Sequence, residues 1–194
     1  MSAIKKSNIL KSGESTWSFH GGIKLPGHKD MSTKKPIGRM PSSDRYVIPL
    51  NQHMGAEGDL LVSIGDKVLK GQILAGPHGL VSATVHSPVS GKVVEITQHH
   101  FPHPSGLAGT CIVIENDHKD EWIKRNPIGD DYTNISSHDL RSIIRDAGIV
   151  GLGGATFPAA VKQTEIGIET LILNGVECEP YITCDDMLMR ERAD

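Results

Sequence analysis

The chain has 194 residues, room for one large domain or two small ones, of which 38% are hydrophobic and only 4% aromatic. A formal net charge of -3 leaves no electrostatic footprint for nucleic acid, and no stretch is apolar enough to span a bilayer or to form a signal-peptide core. Three cysteines, Cys111, Cys178 and Cys184, with no Cys-x-x-Cys spacing, provide neither a disulfide framework nor a zinc or iron–sulfur ligand set, and they suit a reducing compartment.

In chain order, residues 1–40 read as an extended arm rich in Gly, Pro, Lys and Ser, with one short ordered piece, Phe19-His20-Gly21-Gly22-Ile23. Its lysines suit a solvated arm or contact with a partner or acidic lipid. Residues 41–125 form a β-rich domain. Short apolar runs at Tyr46–Leu50, Leu60–Val62, Val68-Leu69, Gln72–Ala75, Val81–Val85, Val93–Ile96 and Cys111–Ile114 alternate with turn residues. The segment His99 to Pro104 reads as a loop. Residues 126–194 change to helical spacing. Ser136 and Ser137 precede Leu140, Ile143 and Ile144, with Asp139 in the first turn and Gly148 as a stop. A Gly-rich turn, a short helix opening near Pro158, the strand Thr170-Leu171-Ile172-Leu173 and a last helix from Thr183 or Asp185 follow. The fold class expected is α+β, a β sandwich followed by the start of an α/β domain. That second part reads as unfinished, because the chain ends inside a helix with few elements to cover the strand.

Within the β-rich domain, Gly65 to Leu74 and Val85 to Val93 make two strand–turn–strand halves. They resemble the hammerhead of biotinyl and lipoyl carrier domains, the barrel-sandwich hybrids. Those carriers need a lysine at the tip between the halves. Here the tip is Gly76-Pro77-His78-Gly79-Leu80-Val81-Ser82, so the expected role is docking or scaffolding rather than covalent carriage.

Two loops in the second part carry chemistry. In Gly151-Leu152-Gly153-Gly154-Ala155-Thr156-Phe157-Pro158 the glycines let backbone approach an anion, the next helix would aim its positive end there, and Lys162 would add a charge. A phosphate site and a tight helix–helix turn both fit this loop on its own. The second loop, Asn174-Gly175-Val176-Glu177-Cys178-Glu179-Pro180, follows a predicted strand, where α/β units bind ligands. Asn174 could pair with a ring edge, and the carboxylates could accept from ribose or amide groups; a solvated acidic loop is the alternative for Glu177 and Glu179.

Together the two loops resemble the flavin-binding motifs of the NADH-binding subunit of respiratory complex I. Phe19–Ile23, the run Val47 to Gly55 and the hammerhead halves resemble the C subunit of Rnf/Rsx electron-transport complexes, over nearly the whole chain from Phe19 to Arg192. The resemblance implies FMN as cofactor. It implies Gly151, Gly153, Gly154 and Lys162 at the phosphate and ribityl side, Asn174, Glu177 and Cys178 near the isoalloxazine, and Glu179 toward the nicotinamide pocket. Leu152 stands where complex I proteins usually carry Arg, which removes one charged contact and suits the Rnf branch.

The resemblance further implies a subunit that admits electrons from NADH through FMN to two [4Fe-4S] clusters, whose ligands are absent from this chain. Expected partners are the membrane subunits of the Rnf/Rsx complex, NADH and a ferredoxin-like protein, with electron flow coupled to ion movement. The expected place is peripheral, on the cytoplasmic face of the bacterial inner membrane. The 194-residue chain by itself is expected to bind FMN weakly and to oxidise no NADH. The rival reading is a non-catalytic assembly module, or a relative of the A subunit of sodium-pumping NADH:quinone reductase. No catalytic side chain and no metal site are assigned. His99, His100 and His103 lack a fourth ligand, Cys178 between two glutamates is a poor nucleophile, and His20, His28 and His53 read as packing or surface residues.

Overall fold

The structure, a computed structural model, describes residues 20–23, 25–103, 105–152, 154–163, 167–170, 172 and 174–193, with residue 131 by its backbone alone. Met1–Phe19, Lys24, Pro104, Gly153, Thr164, Glu165, Ile166, Leu171, Leu173 and Asp194 therefore lie outside the described residues, and with them one residue of the Gly-rich loop and half of the predicted strand at 170–173.

The β-rich half is two antiparallel sheets. One has β1 (Arg45–Pro49), β7 (Ala108–Asn116), β6 (Gly91–His100) and β3 (Lys67–Val68) in that spatial order; the other has β2 (Asp59–Leu60), β4 (Ile73–Gly76) and β5 (Val85–His86). β7 is central, paired with β1 on one side and β6 on the other, which explains its unbroken apolar run Cys111–Ile114: all four residues are buried. The core lies between the sheets and is built from Ile48, Leu50, Val62, Val68, Leu74, Ala75, Val85, Val89, Val93, Ile112 and Ile114. Each large member contributes on the order of 1.5–3 kcal/mol by leaving water. Gly91 is required where β6 passes β7, because a Cβ there would stand 2.0 Å from the Glu115 carbonyl oxygen.

The strands of the structure depart from the sequence reading at three places. Of the predicted strand Val81–Val85 only Val85 pairs, because the Ser82 and Thr84 side chains are hydrogen-bonded to Ala56 O and Arg145 O instead of lying along a ladder. β6 runs through His99 and His100, which the sequence places in a loop; as neighbours on a strand they point to opposite faces and cannot readily share an ion. Thr170 and Ile172 join no ladder, since every strand among the described residues belongs to the two β sheets. The helix after Pro158 is short, as its sequence predicts, and makes a single turn.

After a 3-10 turn at Gly129–Asn134 comes α2 (Ser137–Asp146), capped as its sequence predicts: the Asp139 N–H donates to Ser136 Oγ at 3.1 Å. Its C-terminal end is docked on the β sandwich. Thr84 Oγ1 donates to Arg145 O at 3.1 Å, and the Arg145 guanidinium donates to Gly79 O at 2.5 Å, so α2 holds the hairpin tip. His86 faces this joint; burial lowers its pKa, partly offset by Asp146. Gly148, at φ 68, turns the chain away into the Gly-rich loop.

The described part of the arm before residue 40 folds back onto the far end of the chain. It forms one helical turn, α1 (Lys29–Ser32). The Tyr181 N–H donates to Gly27 O at 2.8 Å, His28 stacks on Tyr181 at 4.8 Å, and the Ile37 N–H donates to Glu191 Oε2 at 2.9 Å. No helix among the described residues is long and apolar enough to cross a membrane.

Candidate functional site

The Gly-rich loop is a tight hairpin. Val150 pairs with Pro158, the Gly151 N–H donates to Phe157 O at 2.9 Å, and the Ala159 N–H donates to Ile149 O at 3.0 Å. The Gly151 amide is thus already spent inside the loop. α3 (Ala159–Lys162) follows; at four residues it has almost no aligned dipole to offer an anion, contrary to the sequence expectation. The positive charge comes instead from Lys162, whose ammonium lies 3.8 Å from where a Cβ on Gly151 would stand and 5.7 Å from the Phe157 ring centre. None of the salt bridges among the described residues involves Lys162.

The second loop lies against the first. A Cβ on Gly154, a residue at φ 113, would stand 3.7 Å from Cys178 Sγ. Asn174 closes its own turn, accepting from the Val176 N–H at 3.0 Å. Gly175 lies under Met189 of α4 (Cys184–Glu191), the predicted last helix. Three residues other than glycine hold left-handed backbone in these loops: Thr156 at φ 46, Glu177 at φ 47 and Tyr181 at φ 68. For a β-branched residue such as Thr156 this costs on the order of 1–2 kcal/mol, and surrounding contacts must hold it. One such contact is the Met54 N–H, which donates to Thr156 O at 3.1 Å.

Of the resemblance-implied residues, Gly151, Gly154 and Lys162 are thus gathered at one loop, with Cys178 against it. Asn174, Glu177 and Glu179 belong to the adjoining loop, and Gly153 lies outside the described residues. Glu177 is not a solvated acid: its side chain is only 6% exposed. Oε2 pairs with Lys29 at 3.1 Å, and Oε1 accepts from the Asp185 N–H at 2.9 Å and the Asp186 N–H at 3.4 Å, at the start of α4. Burial would raise its pKa, but Lys29 and the Asp186 and Asp185 amides outweigh it and the net direction is down. A depressed carboxylate stabilises the fold above its unfolded value and loses that contribution as pH falls through the folded one. The contacts of α4 should therefore be intact at neutral pH and loosen below about pH 4, a step that Glu177→Gln removes; amide exchange of residues 184–191 against pH measures it.

Glu177, Cys184 and Asp185 also bring ligand-type atoms within 4.8 Å of one another. Burial and Asp185 hold the Cys184 thiol in its protonated form, and Glu177 is engaged as above, so helix capping accounts for the cluster.

Sequence reasoning misses two features. It places Lys29 in a solvated arm, and nothing in the neighbourhood of that lysine signals a partner 148 positions away. The run Asn51–Gly55 also forms one wall of a cleft of about 490 Å³, with Pro102 and His103 beside it and Gly154, Ala155 and Thr156 as the other wall. His53 is buried there, accepting from the Ala83 N–H at Nε2, 3.2 Å away, which puts its proton on Nδ1, toward Met54 O. The β domain is therefore part of the surroundings of the Gly-rich loop.

The residues present fit an FMN-type ligand. Gly151 puts no side chain beneath a lysine ammonium that has no carboxylate partner among the described residues, and a second loop with amide and carboxyl groups adjoins it. A barrel-sandwich hybrid joined to this pair of loops defines the class: a β sandwich leading into a segment whose loops fit a flavin. Comparison with known proteins agrees. Residues 17–119 match the model of the RnfC barrel sandwich hybrid domain, and residues 144–194 match that of the Nuo51 FMN-binding domain. The chain belongs to the RnfC family. It is similar to proteins named as the C subunit of the ion-translocating oxidoreductase complex. The one from Serratia proteamaculans is 47% identical over 194 residues, 99% of this chain and 26% of that protein. That of Haemophilus influenzae is 49% identical over 180 residues, 92% of this chain and 28% of that protein. That of Pseudomonas aeruginosa is 49% identical over 179 residues, covering 91% and 23%. The chain spans about a quarter of the length of the curated relatives it matches.

Proposed function

We propose that this chain forms the β scaffold and the first part of the flavin site in the electron-input subunit of an ion-translocating oxidoreductase complex. In this reading the complex passes electrons between NADH, FMN and iron–sulfur centres toward a ferredoxin-like partner. The chain lies peripherally, at the cytoplasmic face of the inner membrane, held by membrane subunits of the same complex. The observation that carries the reading is the meeting of the two loops at Gly154 and Cys178, with Lys162 folded back over Gly151. The relatives' names and the match to an FMN-binding domain support it.

Bound FMN would supply the exchange between two-electron and one-electron transfer. The chain's own residues bind and orient. Lys162 supplies the charge for the phosphate, Gly151, Gly153 and Gly154 let the backbone approach closely, and Asn174, Cys178 and Glu179 present polar groups toward the ring and nicotinamide side. No cysteine set for a cluster occurs in this chain, so the iron–sulfur centres are assigned to other parts of the subunit or complex.

Titration with FMN, followed by quenching of flavin fluorescence, tests the reading. The chain should bind FMN saturably but weakly, and Lys162→Met should raise Kd about tenfold, equivalent to roughly 1.4 kcal/mol. Equal affinities for the two proteins would remove Lys162 from the site, and absence of saturable binding would count against the flavin assignment.

A further inference from the structure

We propose that Lys29 of the N-terminal arm is a positioning residue for the flavin loop, and that Glu177 is its counterpart rather than a ligand of the flavin. This rests on the flavin reading above and changes one role within it: Glu177 moves from the isoalloxazine to the loop's internal framework.

An ammonium has three N–H donors, and Lys29 has three acceptors in the second loop and the turn after it. These are Glu177 Oε2 at 3.1 Å, Glu179 O at 3.0 Å and Ile182 O at 2.5 Å. One side chain thus fixes a side chain and two carbonyls over six residues. The loop needs such a tie. Glu177 and Tyr181 both hold left-handed backbone, which an untethered loop would relax. Glu177 carries the constraint onward, since its other oxygen accepts from the first amides of α4 and so fixes the start of the helix that covers Gly175. With three hydrogen bonds on a carboxylate that is 6% exposed, Glu177 has little capacity left for a ligand, whereas Glu179 contributes only its carbonyl to Lys29 and keeps its carboxylate. The ammonium also offsets a charge close to where an anionic cofactor would sit. Neighbouring contacts seat the lysine: Ser32 Oγ donates to Tyr181 O at 2.6 Å, and His28 stacks on Tyr181.

The arrangement depends on geometry as well as charge. A compact tripod of donors reaches three diverging acceptors, while the planar fork of arginine does not. Lys29→Met and Lys29→Arg should therefore both weaken FMN binding, by about tenfold and by a smaller factor respectively.

The test is an NMR titration of the 194-residue chain with FMN, paired with amide exchange without ligand. In Lys29→Met, FMN-induced shifts at Gly151 should persist while those at Asn174 and Glu179 are lost. Exchange over residues 177–186 should quicken, and protection of Ile112 and Ile114 should stay as in the unsubstituted chain. Unchanged affinity and unchanged exchange at 177–186 would overturn the proposal, as would equal loss of protection throughout the chain in Lys29→Arg. If the unsubstituted chain takes up no FMN, the flavin reading fails by itself. The exchange data then still decide whether Lys29 orders the loop.

Discussion

Replacing Gly148 with alanine lowers the stability of the chain by about 2–4 kcal/mol. Two costs add. The residue is at φ 68, where a side chain costs on the order of 1–2 kcal/mol. Its Cβ would then stand 2.3 Å from Thr84 O and 3.2 Å from His86 Nδ1. The first of these is backbone, itself tied down by the bond between Thr84 Oγ1 and Arg145 O, so the clash is resolved only by moving α2 off the sandwich. A midpoint fall of roughly 5–15 °C in thermal unfolding corresponds to that range for a chain of this size. Gly65→Ala is the control: at φ 99 with nothing within 4 Å of the added carbon, it carries the conformational cost alone and should lose only about 1–2 kcal/mol. Equal losses for the two variants would mean that the joint between the halves is not tightly packed.

Gly151→Ala should behave in the opposite way, nearly silent in stability and severe in binding. Gly151 has no positive φ, and its Cβ would make only ordinary contacts, at 3.8 Å, with Lys162 Nζ and with Phe157 N and O. Stability should change by less than about 0.5 kcal/mol. The added methyl nevertheless occupies the space beneath the Lys162 ammonium, where the proposed phosphate would sit, and FMN affinity should fall at least about tenfold. Titration by fluorescence, alongside thermal unfolding of the same sample, separates the two quantities. A variant that binds FMN normally would show that the ligand does not lie against Gly151.

Much of the β half is legible in the sequence because its signals are local. The apolar runs at β1 and β7, the glycine turns and the Ser136 cap each depend on residues within a few positions. The shortness of β5 is not legible, because it depends on Arg145 O competing for Thr84 across the fold. Nor is the extent of β6: the prolines at 102 and 104 signal a loop, and the register with β7 carries the strand to His100 first. In the candidate site, residue type and order point to the two loops and to Lys162. They do not reveal that α3 is one turn long, which shifts the anion argument from a helix dipole to a side-chain charge. From sequence, Glu177 reads as a flavin contact or a solvated acid. Its engagement by Lys29 and α4 is a long-range arrangement with no local pattern to announce it.

The central claim is that the Gly-rich loop and the Asn174–Pro180 loop form one flavin-binding surface. It is tested most directly by recording backbone amide shifts of the unsubstituted chain through an FMN titration. The account predicts saturable shifts at Gly151 and Gly154 together with those at Asn174, Cys178 and Glu179, all following one binding curve. Shifts confined to one loop, shifts following two different curves, or changes only at the hairpin tip Gly76–Ser82 would contradict it.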